Sequence, residues 1–239
     1  MITLGIDTCE ARGSVAVLRD GTLAALQDHE TQEDYSSWLL PAVDKCCREA
    51  GTRLTAVDVF AVATGPGSFT GLRVGITAVK AWAELYRKPV AGVSRLEVMA
   101  RTLAPREGFV AASFDAQRGQ IFGGLFRAGG NGGLRLVEQE MVIGAEAFVR
   151  WVGEKAGEGP VHWVTPDIEM IREVSSWKER TGRGETITVC GRGLAAGVAQ
   201  LAEERVRQGA TSDALHLDAN YVRRSDAEIF WKDPVNNGR

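Results

Sequence analysis

The sequence predicts an α/β protein made of two βββα-type units in tandem. Two observations carry this. A short apolar run ending in aspartate occurs twice, closing at Asp7 and at Asp115, and each run is followed by two more strand-like segments and an amphipathic helix. The turns after the two aspartates also echo one another, with Asp7-Thr8 before Gly13-Ser14-Val15 and Asp115-Ala116 before Gly119-Gln120-Ile121.

In chain order, residues 2–8 and 14–18 read as strands, and Asp20-Gly21 is a hairpin signal leading to a third strand over 23–29. Over 36–50, Leu39, Leu40, Val43, Cys46, Cys47 and Ala50 share one helical face, with Gly51 as the stop. Pro41 lies inside that pattern, so the helix begins late or bends there. A buried-type strand over 57–63, a glycine loop, a helix over 69–86, a strand over 90–93 and a helix capped by Ser94 and ending near Arg101 complete the first unit.

The second unit reads as strands over 109–115 and 120–126, a glycine turn at 129–133, and a third strand over 134–142. A helix over 145–156, a strand over 161–164, a strand over 186–190 and a helix over 194–208 follow. Residues 105–108 combine proline, charge and glycine and are expected to form the hinge, and 178–185 to form a charged, mobile loop.

The 239 residues are 44% hydrophobic and 25% charged, enough for a packed core, which excludes a disulfide scaffold or a disordered regulator. A net charge of −3 supplies no broad positive field for holding nucleic acid unaided. No apolar run approaches the ~20 residues that span a bilayer. Cys9, Cys46, Cys47 and Cys190 include no C-x-x-C pair, and the sequence predicts free thiols in the cytoplasm. His29, His162 and His216 share no ligand spacing, so no metal site is expected. Glycine is in excess: 28 of 239 residues is about 12%, against ~7% ordinarily.

Much of that excess sits in Thr64-Gly65-Pro66-Gly67-Ser68-Phe69-Thr70-Gly71-Leu72-Arg73-Val74-Gly75, between a strand and a helix, where backbone N–H groups and the helix dipole favour an anion. The spacing matches neither a Walker loop nor the dinucleotide fingerprint, since no lysine follows and Gly71 lies four residues beyond Gly67. Nor is Ser68 a hydrolase nucleophile, because Pro66 and Thr70 stand where glycines are needed. A close strand-to-helix turn, with Ser68 or Thr70 as N-cap, is the alternative to phosphate binding. Asp7 and Asp115 end strands where such folds place ligand groups, and each could equally anchor its own turn. The helix is apolar on two faces, Leu72, Ile76, Val79, Ala83 and Tyr86 on one and Val74, Ala78, Ala81 and Leu85 on the other, which predicts two neighbours, the second within the chain or in a partner.

Ile6-Asp7-Thr8, Ser36-Ser37-Trp38-Leu39-Leu40-Pro41, the Gly65–75 run, Pro89-Val90-Ala91-Gly92-Val93-Ser94 and Asp115-Ala116-Gln117-Arg118-Gly119-Gln120-Ile121 together resemble the bacterial TsaB (YeaZ) family. The resemblance is strongest over 1–126 and returns at Tyr221-Val222-Arg223-Arg224 with Ala227-Glu228. It implies an actin-like ATPase fold of two ribonuclease-H-like βββαβα units, over 1–104 and 105–231, the last helix returning to the first unit, with 232–239 a flexible tail. It further implies a non-catalytic scaffold or activating subunit for transfer of threonylcarbamoyl to N6 of adenosine 37 in tRNAs reading codons that begin with A. The catalytic paralogue TsaD would be the heterodimer partner, the ATPase TsaE would join, tRNA would be met only through the complex, and the chain alone would form a homodimer.

Carried over residue by residue, the resemblance implies partner-binding positions at Trp38, Leu39, Leu72, Arg73, Val74, Ile76 and Val79. It implies a degenerate nucleotide site at Asp7, Thr8, Gly65, Gly67, Ser68, Thr70 and Asp115. No cofactor is required by the chain, and ATP or ADP with magnesium belongs to the level of the complex. Tyr35 stands where the family has a histidine, Gln117 and Gln120 replace its Arg and Glu, and Val164-Thr165-Pro166-Asp167 replaces a Gly-Asp-Gly turn. Competing expectations are an independent ATPase using Asp7, the glycine loop and magnesium, and a homodimeric nucleotide sensor.

Overall fold

The first sheet of the computed structural model is assembled from β1 (Ile2–Asp7), β2 (Ser14–Arg19), β3 (Thr22–Asp28), β4 (Val59–Gly65) and β5 (Val90–Ser94), in the order β3-β2-β1-β4-β5. Residues 1–30, 32–103, 105, 107–129, 133–211 and 213–223 are described; the expected tail at 232–239, and Arg224, Ala227 and Glu228, lie outside them. β1, β2 and β3 pair antiparallel, and β4 and β5 continue parallel to β1. Asp20 and Gly21 make the predicted hairpin turn, both at positive φ.

The second sheet contains β6 (Phe109–Asp115), β7 (Gln120–Ala128), β8 (Leu134–Leu136), β9 (Met141–Gly144), β10 (Val161–Thr165) and β11 (Ile187–Val189), in the order β11-β10-β6-β7-β8, with β9 also on β7. Antiparallel pairing of β6 with β7 and parallel pairing of β6, β10 and β11 repeat the plan of the first sheet.

The helices are α1 (Tyr35–Glu49), α2 (Phe69–Tyr86), α3 (Arg95–Arg101), α4 (Ala145–Ala156), α5 (Ile168–Arg172), α6 (Trp177–Gly182) and α7 (Ala195–Arg207). Ser68 caps α2 and Ser94 caps α3, each hydroxyl accepting the N–H three residues on. Alternation along β1 assigns the faces: Gly5 abuts Ala195 and Ala199 of α7, while Ile6 meets Gly75 of α2. On β7, Gly123 abuts Phe148 of α4 and Gly124 meets Leu96 of α3, which places α3 between the sheets. One apolar cluster therefore runs through both halves, from Leu4, Val62 and Leu72 to Val110, Phe114 and Phe126. A second cluster, around Phe148, Trp163 and Trp177, fills the far side of the second sheet.

One expectation is narrowed and two are corrected. α1 begins at Tyr35 and carries Pro41 within it, which excludes the late start of the two alternatives. The strand expected over 134–142 is split into β8 and β9; between them the Glu140 carboxylate turns toward Ser94 and Asn220 instead of extending the ladder. The expected mobile loop at 178–185 is largely α6, and its Arg180 and Glu185 form a buried ion pair at 2.5 Å that also receives Trp163 Nε1–H at 2.6 Å. Of the expected hinge, 106 lies outside the described residues, and Gly108 packs on the Pro160 carbonyl.

Candidate functional site

The glycine loop exists because the β1–β2 turn lies directly on it. A Cβ at Gly67 would stand 2.3 Å from the Cys9 carbonyl oxygen, and one at Gly71 would stand 2.0 Å from that of Thr8. A Cβ at Gly75 would meet Thr8 Oγ1 at 2.5 Å. Only residues without side chains permit this approach. Two hydrogen bonds fasten it, Ser68 N–H to the Cys9 carbonyl at 2.7 Å and the Thr8 hydroxyl to the Gly71 carbonyl at 2.7 Å. Gly65, at φ +120°, leaves room for the Asn220 carbonyl, and Asn220 N–H donates to Thr64 at 2.7 Å. Thr70 is exposed.

Asp7 is fully buried. One carboxylate oxygen accepts Cys9 N–H at 3.0 Å and the other accepts Arg95 Nε at 3.2 Å. Arg95, also fully buried, reaches Glu10 at 2.5 Å, donates to the Arg192 carbonyl at 3.0 Å and lies 4.4 Å from the centre of the Phe114 ring. Arg192 then pairs with Glu10 at 2.6 Å and with Asp167. Asp167 in turn accepts Asp115 N–H at 2.8 Å. Five ionised side chains thus run without a break from the first sheet to the second.

Burial opposes the charge of Arg95, yet Asp7 and Glu10 hold it above the usual arginine value. Burial raises Glu10 above its usual range, against the pull of Arg95 and Arg192. Asp115 anchors its own turn, accepting Gln117 N–H at 2.6 Å and the Gln117 amide at 2.8 Å, as Asp7 does with Cys9. Tyr35 packs over Gly13, its hydroxyl donating to the Glu10 carbonyl, with its ring 4.6 Å from that of His29. Above these groups lies a cleft of about 640 Å³, walled by Phe69, Phe114, Phe122 and Tyr221.

Of the residues expected for a nucleotide, Gly67, Ser68 and Asp115 line the cleft, whereas Asp7, Thr8 and Gly65 are buried and Thr70 lies outside its lining. The Asp7 carboxylate is taken by Arg95, the Ser68 amide by Cys9, and the space over Gly67 and Gly71 by backbone. Among the described residues no group of three or more His, Cys, Asp or Glu could hold a metal ion. Nor is any described helix long and apolar enough to cross a membrane. Glu10, Arg95 and Arg192 were not singled out from the sequence, and Asp167 only within a departure from a family turn, because each finds its partners across separations that no motif records.

The expected partner-binding set divides. Leu39, Leu72, Ile76 and Val79 are buried in the chain's own core, which corrects their assignment to a surface. Trp38 is half-buried and edge-on to His29, 4.8 Å between ring centres. The second face of α2 is open instead: Arg73 and Ala81 are exposed, Val74 and Ala78 half-buried, and Leu85 68% exposed. Leu40 of α1 is 59% exposed.

Residues 28–161 match the family model described as TsaD: tRNA N6-adenosine threonylcarbamoyltransferase. The tRNA threonylcarbamoyladenosine biosynthesis protein TsaB of Escherichia coli is 34% identical over 69% of this chain and 70% of its own. The chain belongs to the TsaB (YeaZ) family. The Bacillus subtilis TsaB is 28% identical over 97% of this chain and 98% of its own. A solved Pseudomonas aeruginosa protein, described as similar to peptidase YEAZ, superposes with a TM-score of 0.74 at 26% identity, over 93% of this chain and 99% of that one. The TsaB resemblance and the expected actin-like ATPase fold are thereby established.

Proposed function

We propose that this chain is a non-catalytic scaffold or activating subunit in the biosynthesis of tRNA threonylcarbamoyladenosine, and that it acts by pairing with the catalytic paralogue TsaD. The observation that carries the pairing is the second face of α2. A helix whose one side, Leu72, Ile76 and Val79, is already in the core still leaves Ala81 and Leu85 exposed and Val74 and Ala78 only half-buried, a pattern that suits burial against another chain. In the absence of TsaD the same face would support a homodimer.

Occupied donors in the cleft support a role without chemistry of its own. The Asp7 carboxylate and the Ser68 amide are bonded within the chain, which supports assigning ATP or ADP to the partners, TsaD and the ATPase TsaE. The net charge of −3 supports tRNA binding through the complex and not through this chain alone.

Reconstitution of the modification with the other components held fixed tests the role. Threonylcarbamoyladenosine formation should fall at least about tenfold when this chain is left out. Undiminished formation without it would end the proposal. The independent-ATPase alternative predicts heat on adding ATP and magnesium to the isolated chain, together with phosphate release.

A further inference from the structure

We propose that Arg192 is a latch that ties together the two turns flanking the cleft, one from each sheet. Glu10 belongs to the turn after β1, on the first sheet, and Asp167 to the turn after β10, on the second. Arg192 is the side chain that holds both, reaching Glu10 at 2.6 Å with one guanidinium nitrogen and Asp167 with the other. Its own carbonyl accepts Arg95 Nη2 at 3.0 Å, so the backbone of the latch is fixed by the buried arginine that neutralises Asp7. Asp167 passes the connection to the second aspartate turn by accepting Asp115 N–H at 2.8 Å. The turns that follow β1 and β6 are thus joined through the side chains of Glu10, Arg192 and Asp167, the last bonded to the Asp115 backbone.

Exposure separates the parts. Asp7 and Arg95 are sealed, whereas Arg192 is 32% exposed, with Glu10 at 13% and Asp167 at 14%. The Asp7–Arg95 pair is therefore part of the core, and the Arg192 bridge is a contact at the cleft wall that can break without unfolding either sheet. Clefts of this kind are commonly closed by a ligand that touches both walls. Here Arg192 supplies a contact between the two walls from within the chain.

The test compares the full chain with Arg192→Met and Asp167→Asn by hydrogen exchange resolved to segments. Both variants should exchange about tenfold faster in 8–13 and 115–119, with β1, β4, β6 and β7 unchanged. Arg192→Lys, which keeps the charge but loses the fork, should fall between. Unchanged exchange in the two turns would overturn the latch. A uniform rise through both sheets would also overturn it, because the bridge would then be supporting the whole fold instead of the link between the two turns.

Discussion

Arg95 Nε lies 3.2 Å from Asp7 Oδ2, and both side chains are fully buried. A buried pair adds little compared with apolar residues of the same shape, but removing one member strands the other. The pair is thus a point of vulnerability, and it occupies a carboxylate that the sequence offered to a nucleotide.

Arg95→Met is predicted to lower stability by roughly 3–5 kcal/mol, since Asp7 and Glu10 would lose their shared cation. Replacing Asp7 by Asn at the same time should recover part of the loss. Urea unfolding of the two variants checks this, and a single variant within about 0.5 kcal/mol of the parent would contradict it.

Gly71→Ala is predicted to cost roughly 4 kcal/mol or more, because its Cβ would meet the Thr8 carbonyl, which is backbone and cannot turn aside. At Gly182 nothing lies within 4 Å, and Gly182→Ala should be neutral or stabilising by up to about 1 kcal/mol. Thermal melts that rank the two substitutions the other way would refute the close-approach account of the loop.

Leu85→Glu and Ala81→Glu should leave the isolated chain within about 0.5 kcal/mol of the parent while weakening TsaD binding at least about tenfold. Leu72→Glu, directed into the core, should instead unfold the chain. Calorimetric titration of folded variants with TsaD decides; full affinity in both surface variants would move the interface elsewhere.

Burial raises Glu140 above its usual 4.5, against the pull of the Ser94 hydroxyl and the Asn220 amide. A carboxyl whose folded pKa is raised binds its proton more tightly folded than unfolded. Its contribution to stability is full below that usual value and is lost as pH rises through the folded one. Glu140→Gln should therefore flatten the decline in stability just above pH 4.5. Urea midpoints taken from about pH 4 to about pH 7 measure it, and a slope equal to the parent's would exclude Glu140 as the source.

The elements that local rules govern were legible in the sequence. α2 and α4 begin and end where periodicity and capping put them, and Cys46 and Cys47 are in the core as their spacing required. The glycine motif was visible, but not its reason, because the Thr8 and Cys9 backbones it accommodates lie some sixty residues away in sequence. The wall of the cleft was illegible for the same cause: an arginine beside a helix cap, a glutamate in a turn and an arginine before the last helix become one feature only when both sheets are formed. Residues 178–185 read as loop because glycine and charge dominate locally, whereas Trp163 and Glu185 across the fold decide that Arg180 is buried.

The last helix has a consequence for how the chain comes into being. α7 lies on β1, β2, β4 and β5, with Gly5 against Ala195 and with Ala16 and Leu18 against Ala195 and Ala199. A ribosome releases the amino-terminal sheet long before it releases the helix that covers one of its faces. Until residue 207 or so has emerged, that face stays open to water, to chaperones and to other nascent chains. The sheet that is made first is therefore not fully covered until α7 has been made.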